Sequence, residues 1–455
     1  MINLNEKIKT GLVCFGEVNT PREFINGRCE DVAVALKDAG LDLVTTAPVA
    51  DDPKGEQVAR AVTELSAESF DVLVVCIAGW IPTWAVISVI EPFKHKPMVL
   101  LGLTGWQEGD KFVTTADQAG STALRKPMED MGYTFKYIVN YRNKPLPLDR
   151  IISYCRAAGA AARLKKATVG MAGYRDMRLY GTLYDGVSLK GKIGPEIQHF
   201  DLLELQQIME SITDDQLTEI VETLRDRWDF KKEPQPGTVE SSVRLYLALR
   251  KKIEDGGYDA FSFVDVDGIK KLMGFAPAGA MTLLHDEMDI PTVPENDSMG
   301  AVTQLIVRFL TGQIAAYLEF YEFMTDGALM GVPDYVPAEI VDGKVTVLPS
   351  SFGDFGEGLL NVSKLKTGKV TIARLGYCGN QYQMHFMTGT ARTPIVWEEA
   401  GWAAPAPQLP SLEIVFDNNT EEFIQKVMGQ HYIISYGDNS EMLKDLCSIL
   451  GITVL

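Results

Sequence analysis

The stretch DVLVVCIAGWIPTWAVISVIEPFKHKPMVLLGL, residues 71–103, decides the fold class of this chain. Its first part, Asp71–Ile77, is a β-branched run that predicts a strand, and Trp84–Phe93 follows with the pattern of a helix. A second apolar run at Pro97–Leu103 predicts another strand. The order strand, helix, strand is typical of a βαβ unit in a parallel sheet.

The same alternation extends outward from this stretch. From Lys9 to Tyr141, short apolar runs bounded by Gly or Pro alternate with helical patterns, which predicts an N-terminal α/β domain over residues 1–145. Predicted strands at Thr168–Ala172 and Asp259–Val266, with long helical patterns between them, indicate a central α/β domain over 146–331. We therefore predict two doubly wound parallel-sheet domains.

The pattern changes from about Val332 to short alternating strands separated by turn signals, for example Lys369–Leu375 and Gln381–Thr388. The end of the chain returns to a helix, a strand at His431–Tyr436 and a helix at Ser440–Leu450. We predict a β-rich C-terminal domain over 332–455, and we expect this last segment to pack back onto an earlier domain.

Composition narrows the class of function. The chain has 455 residues, 46% of them apolar, which is enough for two or three cores, and a formal net charge of −18. Such an acidic surface repels a phosphate backbone, so nucleic acid is not expected as a partner. The polar N-terminus and the absence of an apolar run of about 18 residues predict a cytoplasmic protein without membrane attachment.

Acidic side chains follow two of the predicted strands. Glu295 and Asp297 come after the apolar run Ile290–Val293 and precede a predicted helix, so Asp297 or Ser298 could equally serve as the N-cap of that helix. Asp265 and Asp267 end the predicted strand Asp259–Val266 and, being two apart, would share one face.

Four carboxylates at the ends of two predicted strands would repel one another unless a cation neutralised them. Among the five histidines, His431 stands at the start of a predicted strand, where residues of open α/β folds face a cleft. Oxygen ligands with one imidazole suit Mn²⁺ or Mg²⁺ better than a metal that prefers thiolates. The pattern indicates a divalent-metal site.

Two motifs carry a resemblance to a known family. The sequence VMGQHYIISYG, residues 427–437, resembles the C-terminal end of L-fucose isomerases, whose metal-binding histidine falls on His431. The segment Glu295–Ser298, followed by Gly300, resembles the other metal segment of that family, whose aspartate falls on Asp297. The chain is thereby identified as similar to the L-fucose and L-arabinose isomerase superfamily.

The resemblance implies an enzyme that interconverts an aldose and a ketose through an enediol, with Mn²⁺ (or Mg²⁺ or Co²⁺) as Lewis acid. It implies Asp297 and His431 as metal ligands, with Asp267 or Asp265 completing the coordination. Glu295 or an aspartate that does not bind the metal, Asp267 first, would then shuttle the proton, so Glu295, Asp267 and Asp297 are the catalytic candidates.

One departure keeps other functions open. The helix glutamate of fucose isomerases aligns with Gly279, so the scaffold could catalyse an epimerisation or a lyase reaction, or could bind a sugar without catalysis. A nucleotide-binding Rossmann enzyme fits poorly, because the first strand runs into CFGEV, residues 14–18, which contains no GxGxxG turn.

The resemblance also implies a substrate pocket and an assembly. Arg28, Trp80, Trp84 and Gln430 are the candidate sugar contacts, although Arg28 could be a helix-end charge and one of the tryptophans could belong to the core. In this family a neighbouring subunit completes the pocket, so a homo-oligomer, a trimer or hexamer, is expected. The sugar itself stays open among hexoses, pentoses, deoxysugars and sugars with an anionic group.

Overall fold

The computed structural model of the protein describes residues 2, 4, 6–332, 336–351, 354–394 and 410–455. The chain divides into two compact units. The N-terminal unit comprises Asn3–Ala162 and Met442–Leu450, and the larger unit comprises Met1–Ile2, Arg163–Glu441 and Gly451–Leu455. The three-domain division derived from the sequence stays a prediction. Among the helices that the structure describes, none is long and apolar enough to cross a membrane.

The N-terminal unit is built on a parallel sheet of five strands in the order β2-β1-β3-β4-β7. These strands are β1 (Lys9–Phe15), β2 (Asp42–Thr45), β3 (Val72–Ile77), β4 (Met98–Gly102) and β7 (Phe135–Val139), and β5 (Trp106–Glu108) pairs with β6 (Lys111–Val113) as a separate hairpin. Its helices are α1 (Arg22–Asp38), α2 (Glu56–Ser66), α3 (Thr83–Ile90), α4 (Asp117–Asp130) and α5 (Leu148–Leu164). The βαβ unit predicted from residues 71–103 is confirmed.

A helix from the end of the chain completes this unit. Residues Met442–Leu450 belong to the N-terminal unit, and they form most of the helix Ser440–Leu450, which we label α13. Its Asp445 accepts hydrogen bonds from Lys136 Nζ at 2.8 Å and from Ser153 Oγ at 3.1 Å. The expectation that the C-terminal segment packs back onto an earlier part of the chain is confirmed.

The larger unit contains a second parallel sheet, in the order β12-β11-β8-β9. Its strands are β8 (Thr168–Ala172), β9 (Glu196–Phe200), β11 (Ala260–Phe263) and β12 (Thr292–Val293). The accompanying helices are α6 (Gly186–Lys192), α7 (Leu202–Ser211), α8 (Asp215–Arg227), α9 (Thr238–Gly256), α10 (Ala278–Met288) and α11 (Ser298–Thr311).

A π-helix replaces the end of one predicted strand. β11 stops at Phe263, and Asp265–Met273 forms the π-helix, which ends at Gly274 in the left-handed conformation. The prediction that Asp265 and Asp267 end a strand on one shared face is therefore wrong. The side chain of Asp265 is 1% exposed, whereas that of Asp267 is 39% exposed.

The remainder of the larger unit is β-rich, as predicted. One sheet of seven strands has the order β17-β20-β13-β14-β19-β18-β21, and a further pairing between β17 and β18 closes it into a barrel. Its strands are β13 (Ala316–Met324), β14 (Gly327–Gly331), β17 (Gly368–Cys378), β18 (Gln381–Arg392), β19 (Ser411–Phe416), β20 (His431–Tyr436) and β21 (Thr453–Val454). A smaller sheet consists of β10 (Asp229–Phe230), β15 (Thr346–Ser351) and β16 (Glu357–Asn361), and the short helix α12 spans Thr420–Ile424.

Candidate functional site

The turn between β12 and α11 brings Glu295 and Asp297 to the candidate site. Glu295 and Asn296 both have left-handed backbones, with φ of 62° and 48°, which residues other than glycine adopt only when the surroundings enforce it. The enforcing contacts are a bond from Asn296 Nδ2 to the carbonyl of Ala172 at 2.9 Å and one from Asn296 N to the carbonyl of Phe263 at 3.1 Å. The turn is therefore fixed against two strands of the parallel sheet.

The carboxylate of Asp297 is surrounded by protein donors. Arg374 on β17 donates from Nη1 to Oδ2 at 2.7 Å and from Nη2 to Oδ1 at 2.9 Å. Tyr317 on β13 donates its hydroxyl to Oδ2 at 2.8 Å, and the backbone N–H of Gly300 donates to Oδ1 at 2.9 Å. A carboxylate offers about four acceptor positions, and here all four are occupied. Asp297 is thus the N-cap of α11, which confirms that interpretation of the sequence.

The charges of this cluster are mutually dependent. Burial on its own raises the pKa of Asp297, but the guanidinium of Arg374 and the hydrogen bonds outweigh burial and hold this pKa below its usual range. Burial, followed by the nearby charge of Asp297, raises the pKa of the Tyr317 hydroxyl. Asp297 is therefore ionised, Arg374 is protonated and Tyr317 is neutral at physiological pH.

His431 begins β20 and lies between two carboxylates. Its Nδ1 is 3.7 Å from Oε2 of Glu295, and its Nε2 is 3.7 Å from Oε2 of Glu319, which is its register partner on β13. The imidazole stacks on the ring of Tyr317, with centroids 4.3 Å apart and planes 16° apart. We call His431, Glu295 and Glu319 the His431 group. Gln430, one of the predicted substrate contacts, donates from Nε2 to Glu295 Oε2 at 3.4 Å.

Glu319 is a functional candidate that the sequence did not single out. The run AYLEFYEFM, residues 316–324, was not predicted to be a strand, so its glutamates had no assigned direction. The available signal is a glutamate in an otherwise apolar segment, where a charged side chain needs a partner. Only the pairing of β13 with β20 reveals that this partner is His431.

The other predicted ligands, Asp265 and Asp267, are each paired with a lysine. Asp265 is buried against Lys270, with Oδ2 3.1 Å from Nζ, and its Oδ1 accepts the backbone N–H of Glu295 at 2.9 Å. Asp267 accepts from Lys271 at 2.6 Å and from the backbone N–H of Met177 at 2.9 Å, and the bond from Lys271 contributes most to lowering its pKa. Asp265 therefore supports the backbone of Glu295, and the structure does not bring Asp267 to His431.

A metal ion finds only a partial fit here. Within the described parts of the chain, no three His, Cys, Asp or Glu side chains are arranged to hold one ion. Separations of 3.7 Å within the His431 group suit two ligands of one cation, since bonds of about 2.0–2.2 Å place such ligands about 3–4 Å apart. However, Glu295 and Glu319 face opposite ring nitrogens, so one ion reaches both only if a side chain rotates. Asp297 has no acceptor position left for an ion.

Gly279 does not lie in the His431 group. It is buried within α10, and a Cβ added there would come within 3.0 Å of Ser242 Oγ and 3.2 Å of Leu359. A side chain at this position would enter the contact between α10, α9 and β16. Gly279 is thus a packing position of the core.

The predicted contacts Arg28, Trp80 and Trp84 belong to the N-terminal unit. Arg28 donates to the carbonyls of Ala78 and Thr104 and to the side chains of Thr115 and Asp117, at distances of 2.6–2.9 Å. It lies in the middle of α1, so the alternative of a helix-end charge is wrong. Trp80 and Trp84 are 39% and 48% exposed, so neither is a core residue.

Sequence comparisons find similarity to L-arabinose isomerases. A family model described as the L-arabinose isomerase central domain matches residues 176–283. The L-arabinose isomerase of Shouchella clausii is 21% identical over 67% of this chain and 63% of its own length. That of Oceanobacillus iheyensis is 20% identical over 70% of this chain and 68% of its own. For Leuconostoc mesenteroides the identity is 23% over 59% of this chain and 58% of the relative.

The alignments cover only part of each relative. The chain spans less than two thirds of the length of the Shouchella clausii relative. Among solved structures, an ABC transporter periplasmic solute binding protein from Actinobacillus succinogenes with bound D-allose covers 73% of this chain at 13% identity and a TM-score of 0.18. A score this low carries no structural inference.

Proposed function

Because the chain belongs to the L-fucose and L-arabinose isomerase superfamily, we propose that it is a sugar isomerase that interconverts an aldose and a ketose. The observation that carries the proposal is the His431 group, in which a buried imidazole has a carboxylate beside each ring nitrogen, 3.7 Å away. Acidic groups of this kind are what an enediol mechanism requires.

The reaction moves hydrogen within one molecule and needs no external oxidant or reductant. A carboxylate removes the proton from C2 of the aldose, and the electron pair of that C–H bond forms the C1–C2 double bond of the enediol while O1 takes up a proton. The base then returns its proton to C1, and the proton on O2 departs as the ketose carbonyl forms. Two proton-transfer sites are needed, one for carbon and one for the sugar oxygens.

Glu295 and Glu319 are proposed for these two roles. Their side chains are 11% and 32% exposed, so both are partly shielded and Glu319 is the more accessible to a ligand. Asp265 accepts the backbone N–H of Glu295, and Gln430 donates to its carboxylate, which restricts where that carboxylate can point. General acid–base groups contribute about 10²–10⁴-fold each to rate.

A divalent cation, Mn²⁺ or else Mg²⁺ or Co²⁺, is part of the proposal. When bound, it would polarise the sugar oxygens and stabilise negative charge on the enediolate. Of the ligands implied by the resemblance, His431 fits best, whereas Asp297 and Asp265 are each paired with a buried cationic side chain.

The substrate is proposed to be a sugar, and L-arabinose is the first to test because the relatives are L-arabinose isomerases. Sugar contacts by Arg28, Trp80 and Trp84, assembly into a trimer or hexamer with shared sites, and a cytoplasmic location complete the proposal. The alternatives are an epimerase, a lyase and a non-catalytic sugar-binding protein, and the products formed distinguish them from an isomerase.

Exchange with solvent deuterium tests the activity directly. Purified protein with Mn²⁺ is incubated in D₂O with L-arabinose and then with other aldoses, and NMR follows deuterium at C2 and the appearance of a ketose. We expect both signals for at least one aldose. If no aldose gains deuterium or yields a ketose, the isomerase proposal fails, and if deuterium enters with the C2 epimer and no ketose as product, the reaction is an epimerisation.

Matched variants assign the roles. Glu295→Gln and Glu319→Gln are each expected to lower kcat about 10²–10⁴-fold. Glu322→Gln, at an exposed position on the same strand as Glu319, is the control and should keep the rate of the unchanged protein. Equal rates in all three variants would remove the His431 group from the mechanism.

A further inference from the structure

We infer that Asp297 and Arg374 are positioning residues that hold His431, and that Asp297 is not a ligand of the catalytic cation. The second half of this inference rests on the proposed function, which supplies the cation. The first half rests on contacts alone.

Arg374 connects the residues that converge on His431. Its Nη1 donates both to Asp297 and to the backbone carbonyl of His431, at 2.7 and 3.0 Å. Its Nη2 donates to Asp297 at 2.9 Å and reaches the carbonyl of Gly181 at 3.4 Å. One guanidinium therefore joins the start of α11 to the start of β20. The pair is almost fully shielded, with side chains 4% and 2% exposed.

Tyr317 provides a second connection to the imidazole. Its hydroxyl donates to Asp297 at 2.8 Å, and its ring lies under His431 at 4.3 Å between centroids. Asp297 thus orients the tyrosine, and the tyrosine orients the imidazole. Arg374 fixes the backbone of His431 while Tyr317 fixes its ring.

The surrounding backbone is shaped for this pair. A Cβ on Gly429 would lie 2.6 Å from Arg374 Nε, and a Cβ on Gly300 would lie 2.6 Å from Asp297 Oδ2. Both glycines allow the backbone to approach the charged groups more closely than any other residue would. Gly429 therefore makes room for Arg374, and Gly300 makes room for Asp297.

Charge and geometry together exclude Asp297 as a ligand in this arrangement. Its single negative charge is already balanced by Arg374, and its acceptor positions are filled. A divalent ion would have to displace a bidentate guanidinium in a buried site and leave that arginine unpaired, which is costly. The imidazole is instead placed by the protein before any ion arrives.

Histidine NMR on the metal-free protein tests the positioning half. The chain has only five histidines, so their ¹³C-labelled ring signals can be separated, and His431→Gln identifies the signal of His431. That signal should show the upfield displacement expected for a ring stacked on Tyr317. Arg374→Met should abolish the displacement and Arg374→Lys should restore most of it. An unchanged signal in Arg374→Met overturns the positioning role.

Mn²⁺ binding, measured by EPR with the metal alone, tests whether Asp297 is a ligand. The deciding quantity is whether the Arg374→Met change raises or lowers the Mn²⁺ affinity. If Asp297 were a ligand, removing its competing guanidinium in Arg374→Met would leave Mn²⁺ affinity equal or increase it. If the pair only positions His431, the affinity falls about 10–100-fold, as for other residues behind a metal ligand. Equal or tighter binding overturns the inference.

A second, milder variant tests the same connection if Arg374→Met does not fold. Tyr317→Phe keeps the ring under His431 and removes one hydroxyl, so it should fold, lower kcat more than it changes KM, and displace the His431 signal by less than Arg374→Met. Identical kcat and an identical His431 signal in this variant contradict the connection through Tyr317. If the unchanged protein binds no Mn²⁺, the proposed cofactor fails, and the metal-free NMR result still decides whether the pair positions His431.

Discussion

Two arginine–aspartate pairs with buried carboxylates, one in each unit, have similar geometry but opposite pKa shifts of the aspartate. In the N-terminal unit, Arg28 Nη2 lies 2.8 Å from Asp117, at the start of α4. In the larger unit, Arg374 Nη1 lies 2.7 Å from Asp297, at the start of α11. Both aspartates are almost inaccessible, at 2% and 1% exposure, and each is followed three residues later by a glycine.

The two carboxylates nevertheless have opposite pKa shifts. For Asp117, burial dominates over Arg28 and raises the pKa, whereas for Asp297 the interaction with Arg374 dominates over burial and lowers it. Asp117 accepts one bond from Arg28 and one from the N–H of Gln118, while Asp297 accepts four bonds, two of them from one guanidinium. The number of donors around a buried carboxylate, more than its burial, decides whether its charge is stable.

The two guanidinium groups also differ in the acceptors that they bind besides the aspartate. Arg28 directs its other bonds to the carbonyls of Ala78 and Thr104 and to Thr115, so it joins loops that follow strands of its own sheet. Arg374 directs most of its capacity to Asp297 and the carbonyl of His431. Arg28 therefore distributes its hydrogen bonds over several loops, whereas Arg374 donates two of its bonds to one carboxylate.

Neutralising each aspartate should give the largest contrast. Asp297→Asn leaves the buried charge of Arg374 without a partner and is expected to lower the free energy of unfolding by about 3–5 kcal/mol. Asp117→Asn should cost only about 1 kcal/mol, since Arg28 retains three acceptors. Urea unfolding measures both, and equal losses would remove the distinction between the pairs.

Adding a methyl group at each glycine tests the packing of the pairs. A Cβ at Gly300 would meet Asp297 Oδ2 at 2.6 Å and Tyr317 at 2.8 Å, so Gly300→Ala should cost about 2–3 kcal/mol. At Gly120, after Asp117, the closest atom is a methyl group of Ile77 at 3.1 Å, and the gain in helix propensity offsets about 1 kcal/mol of crowding. Thermal melts of both variants should therefore separate clearly, and a Gly120→Ala loss as large as that of Gly300→Ala would contradict the contrast.

The stability penalties of the two Asn variants should depend differently on pH. Because the pKa of Asp297 is lowered on folding, its contribution is complete above the unfolded value of about 4 and is lost only as the pH falls through the folded pKa. Because that of Asp117 is raised, the folded protein binds a proton first and gains stability as the pH falls toward 4.

Unfolding measured at pH 7, 6, 5 and 4 should show a constant penalty for Asp297→Asn. For Asp117→Asn the penalty relative to the unchanged protein should grow on acidification, by up to about 1.4 kcal/mol per pH unit below the raised pKa. A falling penalty for Asp117→Asn would show that its pKa is not raised.

Tyr317→Phe should have the smallest effect on stability. It removes one of four donors to Asp297 and keeps the aromatic ring, so a loss of about 1 kcal/mol is expected. The same change combined with Asp297→Asn should cost less than the sum of the two single changes, because they remove one shared bond. Strict additivity in this double-mutant cycle would mean that the hydroxyl does not support the pair.

The sequence predicts the parts of the fold that depend on local pattern. The strand His431–Tyr436 and the helix Ser440–Leu450 agree with the predictions to the residue, since both have clear apolar periodicity and turn signals. The π-helix at Asp265–Met273 was not predicted. A short run of i to i+5 hydrogen bonds leaves no sequence pattern that distinguishes it from a strand or an α-helix.

The site depends on pairings that no local pattern contains. Asp297 and Arg374 are 77 residues apart, and Arg374 looks like any polar residue of a half-buried strand. Motif resemblance singled out His431 and the segment containing Glu295, yet it assigned the ion to Asp297, whose partner became evident only in three dimensions. Glu319 was hidden for the same reason, because it meets His431 through the pairing of β13 with β20.

The helix α13 determines when the N-terminal unit can complete its folding during synthesis. The sheet of the N-terminal unit is synthesised within the first 162 residues, but the helix that supplies Asp445 to Lys136 and Ser153 is translated almost 300 residues later. A nascent chain therefore carries an incomplete N-terminal unit through most of its synthesis. Folding of that unit therefore closes a loop of almost 300 residues, so its final stability depends on a helix translated long after its sheet.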